Sequence, residues 1–383
     1  MVKKIIEGSH AVAEAVRLCA PKVIAAYPIT PQTHVVEKLA DMVANGILKA
    51  EYLNVESEHS AMAACIGAQA TGVRSYTATS SQGLAYMWEL LHIAAGMRLP
   101  IVMNVMNRAL SAPLNIWNDW SDSIGCRDSG WIQLYCETVQ EGLDTTIQAF
   151  RIAEHRDVIL PVMICMDGFY LSHIYEPVDV PESLRGFIGD YKPIFSLDTK
   201  NPLSIGEYAT PAFYQEFREE QDKAINNSMR VIQQVNDEFS KKFGRKYGNG
   251  LIETYNMPAK HVVVTMGSVA GTIKYIIDKK KVNNIGLVRI RSYRPFPVEE
   301  LRKALAGAEA ISVLEKDISL GIGGALWSEL RGAVRNKPIS NFVGGLGGRD
   351  VKMKDIKKIF VSLKNKEEGV HWLSSKAEYY DVR

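Results

Sequence analysis

Residues 23–31 read VIAAYPITP, an apolar run that ends in a turn containing two prolines. The five residues before Pro28 predict a short buried strand, because an unbroken apolar run suits a strand that is covered on both faces. Residues 34–45 then place apolar side chains at helical spacing, namely Val35, Val36, Leu39, Met42 and Val43. The stretch therefore predicts a strand, a stiff turn and a helix, the unit from which parallel sheets are built.

The same alternation continues along the first half of the chain. We predict helices over residues 58–70 and 84–97, and strands over residues 75–79, 101–106 and 158–166. Strands that alternate with helices indicate βαβ units and a mainly parallel sheet with helices on both faces. The predicted fold class is therefore α/β and doubly wound, with ligands bound at the carboxyl ends of the strands.

The second half of the chain has a different pattern. Residues 167–210 are punctuated by prolines and predict an extended arm over the surface, outside the core. Residues 212–243 predict a long helix, whose apolar stripe begins with Phe213 and Phe217. A second α/β unit follows, with strands predicted over 261–265, 285–290 and 310–315. We therefore predict one domain over residues 1–250 and another over 251–383, whose charged end, 364–383, wraps the surface or a partner.

Composition and charge exclude several classes of protein. The 383 residues include 45 basic and 43 acidic side chains, so charge gives no reason to expect nucleic acid or an anionic membrane as a partner. No apolar run could cross a bilayer and the charged start MVKKIIEG lacks a signal-peptide core, so we predict a cytoplasmic protein. The five cysteines form no CxxC pair, which disfavours a disulfide framework, a zinc site or an iron–sulfur cluster.

Four polar residues follow the predicted strands of the first domain, at their carboxyl ends or in the turns beyond: Thr30, Glu58, Gln82 and Arg108. Such residues can converge on one crevice. An arginine in that position can bind a carboxylate through two parallel hydrogen bonds, and the polar turn 79–83 before a helix could receive a phosphate.

Each of these residues also has a plainer interpretation. The threonine suits an ordinary turn or a helix cap, and Glu58 and its neighbour Glu56 suit the first turn of a helix. Arg108 could form a surface salt bridge with Asp119 or Asp122. A carboxylate buried without a partner is costly, so a buried acid at residues 56–58 would need a specific partner.

Several stretches of the sequence, taken together and in this order, resemble the alpha subunits of 2-oxoacid:ferredoxin oxidoreductases. Within that family they are most similar to the pyruvate enzymes of the multi-subunit kind. The likeness covers nearly the whole chain, and the combination is specific although each piece is short. The stretches are YPITP at 27–31, ESEHSA at 56–61, TSSQGL at 79–84, NRALSAP at 107–113, NIWND at 115–119, DGF at 167–169, YRPFP at 293–297, EKD at 315–317 and GGLGGRD at 344–350.

The resemblance implies a first domain of the thiamine-enzyme pyrimidine-binding type and a second like the carboxy-terminal domain of transketolases. It implies that Glu58, rather than Glu56, bonds the 1′ nitrogen of the aminopyrimidine ring of thiamine diphosphate, and that Gln82 also contacts this cofactor. Thr30 and Arg108 would hold the carboxylate of the 2-oxoacid, so that they contribute positioning and charge stabilisation.

The resemblance also implies what partner subunits supply. The chain lacks the Gly-Asp-Gly motif by which thiamine enzymes bind magnesium and diphosphate. Thiamine diphosphate would therefore be shared with a beta subunit, while magnesium and the iron–sulfur clusters would be bound by partner subunits and no metal by this chain. The implied partners are the beta, gamma and delta subunits, with pyruvate and coenzyme A as substrates and ferredoxin as electron acceptor.

The implied reaction is the reversible, coenzyme-A-dependent oxidative decarboxylation of pyruvate to acetyl-CoA and CO2, with electrons passed to ferredoxin. The same chemistry on 2-oxoisovalerate or 2-oxoglutarate is the near alternative, because Thr30 and Arg108 would read only the carboxylate common to these acids. A non-catalytic scaffold subunit and a non-redox thiamine decarboxylase are the alternatives from other classes.

Overall fold

The computed structural model describes residues 1–282 and 284–375. They form two large sheets that are flanked by helices and one small antiparallel sheet. The strands are β1 (Val2–Glu7), β2 (Val23–Ala26), β3 (Glu51–Asn54), β4 (Ser75–Thr79), β5 (Val102–Asn107), β6 (Ile132–Tyr135), β7 (Val162–Asp167), β8 (Tyr175–Val180), β9 (Ile252–Tyr255), β10 (His261–Thr265), β11 (Ile285–Ile290), β12 (Ser292–Arg294), β13 (Ala310–Glu315), β14 (Ile339–Val343) and β15 (Gly369–Trp372).

The helices connect these strands and cover the sheets. They are α1 (Gly8–Cys19), α2 (Thr33–Ala44), α3 (Glu58–Ala70), α4 (Ser81–Tyr86), α5 (Trp88–Gly96), α6 (Ser121–Ile124), α7 (Val139–Ala153), α8 (Tyr214–Phe243), α9 (Val269–Lys280), α10 (Val298–Ala304), α11 (Ala325–Ala333) and α12 (Met353–Asn365). None of these helices, which are those of the described residues, combines the length and apolar composition that crossing a membrane requires.

The first sheet has the strand order β12-β6-β7-β5-β4-β2-β3, and its members from β2 to β7 run parallel. Successive side chains of a strand point to opposite faces. Ile24 and Ala26 accordingly enter one hydrophobic core while Ala25 enters the other, so apolar material covers both faces of the sheet. The predicted doubly wound α/β class is therefore confirmed.

The predicted elements of this sheet agree closely with the structure. Strand β4 and helix α3 have the predicted bounds, β2 ends one residue earlier than predicted, and β5 is shifted by one residue at both ends. The single helix predicted over 84–97 is wrong, because α4 and α5 meet at Met87, a buried residue outside helical geometry.

The arm predicted over 167–210 is wrong in its first part. Strand β8 pairs antiparallel with β1 along its whole length, so that Val2 lies opposite Val180. Val178, Val180, Leu184 and Phe187 are buried in the core that α1, α7 and α8 share, which is why this part of the arm is ordered against the domain. Strand β1 and helix α1 are further elements that the sequence did not predict.

The long helix α8 confirms the prediction over 212–243 and ends at Gly244, whose φ of 75° suits glycine. Its predicted apolar stripe is wrong at the beginning. The side chains of Phe213 and Phe217 are exposed, whereas Phe239 and Phe243 pack against the ring of Phe187. The buried face of the helix therefore begins only where the helix reaches the core of the first sheet.

The second sheet has the strand order β15-β14-β13-β10-β11-β9 and is parallel apart from β9. A surface tail was predicted over 364–383, and this prediction is wrong for β15, which joins the second sheet. Residues 376–383 of the predicted tail lie outside the described residues. Strand β12 leaves the second unit and pairs with β6, so the two halves of the chain share a sheet edge. The domain boundary after residue 250 stays a prediction.

Buried charges connect the two sheets. Glu141 on α7 accepts hydrogen bonds from Arg289 Nη1 at 2.8 Å and from Arg291 Nε at 2.6 Å, and all three side chains are only 1% exposed. Burial alone would raise the pKa of Glu141, but the two guanidinium groups hold that pKa below its ordinary value. Glu141 is therefore ionised, and its charge is matched only because both arginines of the second unit reach it.

We expect Glu141→Gln to lower the free energy of unfolding by about 3–5 kcal/mol, because it leaves two buried guanidinium groups without their shared charge. Urea denaturation of the purified chain measures this change. Glu299→Gln is the matched control, since Glu299 is an exposed partner of Arg302 and its loss should cost less than about 1 kcal/mol. Equal losses for the two variants would contradict the role given to Glu141.

Candidate active site

The predicted site residues lie at the carboxyl edge of the first sheet. Strands β5, β4 and β2 are direct neighbours, and β3 follows β2. Thr30 lies in the turn after β2, Gln82 in α4 after β4, and Arg108 directly after β5. Glu58 is the first residue of α3, which follows β3. The sheet order therefore gathers at one edge four residues that lie far apart along the sequence.

Glu58 is a buried acid that nothing in the described part of the chain neutralises. It is 7% exposed, and no other described residue gives its carboxylate a side-chain hydrogen bond or an ion pair. Burial raises the pKa of Glu58 above its ordinary value. Glu56 differs on every count, since it is exposed and accepts a hydrogen bond from the Ser60 hydroxyl. Of the two acids, only Glu58 still requires a partner.

The space around the Glu58 carboxylate is shaped by Gly83. A methyl group on Gly83 would lie 2.6 Å from Glu58 Oε1 and 2.5 Å from Thr79 Oγ1, so only glycine fits without displacing them. Thr79 Oγ1 is itself buried without a hydrogen-bond partner among the described residues. The unpaired carboxylate and the orphaned hydroxyl, both packed against Gly83 in what we call the glycine cradle, are hydrogen-bonding groups of the kind that suit a polar heteroaromatic ring.

The structure brings Arg108 and Thr30 together, and the contact is made by the backbone of Thr30 and not by its hydroxyl. Arg108 Nη1 donates to the Thr30 carbonyl at 2.8 Å, and Arg108 Nε donates to the Asn115 carbonyl at 3.0 Å. Burial lowers the pKa of Arg108, and the nearby Asp122 opposes this shift. Within residues 1–282 and 284–375, Nη2 has no hydrogen bond, so an anion would be met by that end of the guanidinium group.

The salt bridge considered between Arg108 and Asp119 or Asp122 is absent among the described residues. Asp122 instead organises the backbone of the crevice. Its Oδ2 accepts from the N–H groups of Ser81 at 2.9 Å and Arg108 at 3.0 Å, and its Oδ1 accepts from Asn107 Nδ2 at 2.8 Å. Burial raises the pKa of Asp122 to about 7, although these donors favour the ionised form. This role of Asp122 could not be predicted from the sequence, because no local pattern shows which donors surround a carboxylate.

Gln82 lies next to this network and does not reach the other three residues by a hydrogen bond. Its Oε1 accepts from the Ser81 hydroxyl at 2.6 Å, and the same hydroxyl contacts the Ala109 carbonyl at 2.5 Å. The side-chain amide nitrogen of Gln82 has no partner among the residues that the structure describes, and the side chain is half-buried.

A second ion pair brings the other sheet to the crevice. Asp167, at the end of β7, accepts hydrogen bonds from Trp120 Nε1 at 2.7 Å, from Lys316 Nζ at 2.9 Å and from the hydroxyl and N–H of Ser268. Burial would raise the pKa of Asp167, but Lys316 holds it below its ordinary value. Asp167 and Lys316 belong to two of the stretches quoted in the sequence analysis, and the structure shows that they pair.

A cavity opens beside Arg108. Its volume of about 720 Å³ is within the usual range of small-molecule sites. The Asn115 carbonyl accepts from Arg108, and the Asn115 side chain lines the cavity. Both sheets contribute to its walls, which include Asn115, Trp117, Phe169, Tyr170, Arg349 and Asp350. Among the residues described, the five cysteines are all buried and form no disulfide.

Two family models match this chain. One, described as "Pyruvate flavodoxin/ferredoxin oxidoreductase, thiamine diP-bdg", matches residues 14–237, and the other, "Pyruvate:ferredoxin oxidoreductase core domain II", matches residues 259–356. The "Pyruvate synthase subunit PorA" of Methanocaldococcus jannaschii is 55% identical over 97% of this chain and 98% of its own length. The "Ketoisovalerate oxidoreductase subunit VorA" of Pyrococcus abyssi is 44% identical over 100% of this chain and 98% of its own.

The solved structure of the 2-oxoglutarate:ferredoxin oxidoreductase from Magnetococcus marinus, with 2-oxoglutarate, coenzyme A and succinyl-CoA bound, has the same fold. The TM-score is 0.77 at 20% sequence identity, over 95% of this chain. This chain spans 65% of the length of that protein.

The fold and the first family model place this protein among the thiamine-diphosphate-binding enzymes. More particularly, the chain belongs to the pyruvate flavodoxin/ferredoxin oxidoreductase family. The predicted arrangement, a thiamine-diphosphate-binding domain followed by a domain like the carboxy-terminal domain of transketolases, is confirmed. The chain is an oxidoreductase subunit that requires partner subunits, in which the iron–sulfur clusters of this enzyme type lie.

We expect Asp122→Asn to lower the free energy of unfolding by about 1–3 kcal/mol, because an amide –NH2 group would face backbone donors that now bond a carboxylate. Asp128→Asn is the control, since the Asp128 side chain is 80% exposed and should cost little. Chemical denaturation of both variants measures the difference. If Asp122→Asn were as stable as the control, Asp122 would not organise the crevice.

Proposed function

We propose that this chain is the alpha subunit of a pyruvate:ferredoxin oxidoreductase, which converts pyruvate and coenzyme A to acetyl-CoA and CO2 and passes the electrons to ferredoxin. We propose beta, gamma and delta subunits as its partners. The observation that carries the proposal is the buried, unpartnered carboxylate of Glu58 beside the glycine cradle. The 55% identity to a pyruvate synthase subunit supports the choice of pyruvate.

Thiamine diphosphate, when bound, supplies an acidic carbon that adds to the oxoacid carbonyl and takes up the electrons released as CO2 leaves. In this chain Glu58 would hold a proton between its carboxyl group and the 1′ nitrogen of the pyrimidine ring. The raised pKa of Glu58 suits that role, because a proton is shared best between groups of similar affinity. Gly83 leaves room for the Glu58 carboxylate and the Thr79 hydroxyl beside α4, and Gln82 would contact the ring from that helix.

Arg108 would position the carboxylate of the substrate. Its Nε and Nη1 already hold the Asn115 and Thr30 carbonyls, which fixes the plane of the guanidinium group and leaves Nη2 directed elsewhere. A cation preorganised in this way binds an anion without the cost of ordering a long side chain. The hydroxyl of Thr30 would donate to the same carboxylate, since the backbone of this exposed residue is anchored to Arg108.

Oxidation of a branched 2-oxoacid is the second candidate, and one observation favours it. The ketoisovalerate oxidoreductase subunit of Pyrococcus abyssi is 44% identical over the full chain, so the family uses closely similar alpha chains for different acids. Thr30 and Arg108 would bind the carboxylate in either case. The choice between the acids therefore depends on the pocket for the substrate side chain.

The test of the proposed function is coenzyme-A-dependent reduction of ferredoxin or a low-potential dye by the complex isolated with this chain. The assay contains thiamine diphosphate, magnesium and, in separate runs, pyruvate, 2-oxoisovalerate or 2-oxoglutarate. We expect the highest kcat/KM with pyruvate. Fastest reduction with another acid would overturn the assignment of pyruvate, and no reduction by a complex containing iron and thiamine would overturn the redox function.

Glu58→Gln in the same complex separates catalysis from folding. We expect a loss of about a hundredfold or more in kcat, because the amide cannot exchange a proton with the ring. The folded-state pKa of Glu58 is raised, so its ionisation costs stability above the unfolded pKa and costs none below it. The substitution removes that cost, so at pH 7 the Tm of the variant should be unchanged or higher. A normal kcat would contradict the role of Glu58.

We expect Arg108→Ala to lower kcat/KM for the 2-oxoacid by about ten- to a hundredfold, as the loss of a charge-assisted hydrogen bond predicts. The KM for coenzyme A should change far less, since that substrate does not share the carboxylate site. Steady-state kinetics with each substrate varied in turn measure both constants. A similar loss of kcat/KM for the 2-oxoacid and for coenzyme A would indicate that the substitution disrupts the whole crevice. It would then not report the loss of a carboxylate-binding group.

A further inference from the structure

Three residues that are far apart in sequence meet in a group that includes none of the four site residues described above. Glu7 ends β1, His34 lies in the first turn of α2, and His173 lies between β7 and β8. Each offers one ligand atom, and these three atoms lie within 4.8 Å of one another. No other group of this kind, with three or more His, Cys, Asp or Glu residues, occurs in the part of the chain that the structure describes.

The contacts within the group are close. Glu7 Oε1 lies 2.7 Å from His34 Nδ1, and the rings of His34 and His173 have centroids 4.5 Å apart. Glu7 is 5% exposed, and His34 is its only side-chain partner among the described residues. A buried carboxylate with a single imidazole partner has lone pairs to spare, which distinguishes this group from an exposed cluster of acids.

We propose that Glu7, His34 and His173 bind a divalent transition-metal ion, for which Zn²⁺ is the probe. Two imidazole nitrogens and one carboxylate oxygen are a ligand set that suits such ions, with a fourth position open to water or another ligand. Bonds of about 2.0–2.2 Å place neighbouring ligand atoms a little over 3 Å apart, so small side-chain rotations complete the site. The half-exposed ring of His34 gives the ion a path from solvent.

The surroundings of His173 match those of a metal ligand. Its Nδ1 lies 2.7 Å from the Ser172 hydroxyl oxygen, which also accepts the N–H of Phe169 at 2.8 Å. Metal-binding histidines usually donate their second ring N–H to such an oxygen, which fixes the tautomer and the orientation of the ring. With Nδ1–H donating to Ser172, the lone pair of Nε2 remains for the ion.

The ion would brace the segments that carry the proposed substrate clamp. His34 follows the Thr30 turn by four residues, and the ring of Phe169 contacts both His173 and Trp117, with centroid distances of 4.7 Å and 4.4 Å. A Cβ on Gly168 would lie 2.5 Å from the Asn107 carbonyl oxygen, so the segment containing His173 packs directly on the end of β5. The role inferred is therefore structural, and it does not depend on which reaction the enzyme performs.

No metal site in this chain was expected from the cysteine spacing or from the family motifs. Glu7, His34 and His173 form no spacing pattern. The pairing of β1 with β8 brings Glu7 opposite Tyr175, two residues beyond His173, and that pairing was not predicted.

The experiment titrates the purified, chelator-treated full chain with Zn²⁺ by calorimetry and with Co²⁺ by visible absorption. We expect one ion per chain, a ligand-field spectrum with Co²⁺ and a rise in Tm with Zn²⁺. His34→Gln and His173→Gln should each weaken binding by about tenfold or more. His92→Gln is the matched control, because His92 lies on α5, where its ring packs on Trp88, and not in the proposed site. This variant should bind the metal as the wild type does.

Wild-type binding no tighter than that of the double variant His34→Gln/His173→Gln would overturn the proposal. Circular dichroism verifies that the variants are folded. X-ray absorption of the zinc-loaded wild type provides a second test that needs no variant, with imidazole scattering from two ligands expected and an all-oxygen shell contradicting the site. Each readout is metal binding, so it fails or succeeds independently of 2-oxoacid turnover.

Discussion

The buried ion pairs between the two sheets hold the rest of the structure in place. Glu141 accepts from Arg289 and Arg291, and Asp167 accepts from Lys316, with every one of these side chains almost completely buried. Glu141 and Asp167 are tolerated as charges in the interior because the other half of the chain supplies their cationic partners. The two units are consequently packed together by buried charges, and strand β12 of the second unit also joins the first sheet as its outermost strand, beside β6.

Against this background of satisfied charges, Glu58 differs from the buried acids around it. Asp122, Asp167 and Glu141 each accept several hydrogen bonds, whereas Glu58 accepts none from another side chain among the residues described. A buried carboxylate in that state costs stability, and its raised pKa expresses the cost. A buried group with a perturbed pKa is typical of a functional site, which is the physical basis for the proposal that the cofactor ring partners Glu58.

The crevice also shows how positioning is divided between backbone and side chains. Asp122 fixes the N–H groups after β4 and β5, and Arg108 fixes the carbonyls after β2 and β5, so three neighbouring strand ends are tied to two charged groups. A rigid edge of this kind can hold reacting groups within the tolerance that catalysis requires. His34 and His173 of the proposed metal site follow strands β2 and β7 of the same sheet, so an ion bound there would stiffen this edge further.

The sequence by itself determined the local elements and the chemistry available to them. Strand β4 and helices α3 and α8 follow from periodicity, and the family motifs singled out Glu58 over Glu56 before any contact was known. Only the tertiary structure decided that Glu58 is buried and unpaired, that Arg108 bonds carbonyls in place of Asp119 or Asp122, and that β1 pairs with β8. The reason is physical: periodicity records which face of an element is buried, whereas the partners of a charge or a strand edge, here up to about 180 residues away, depend on how the whole chain packs.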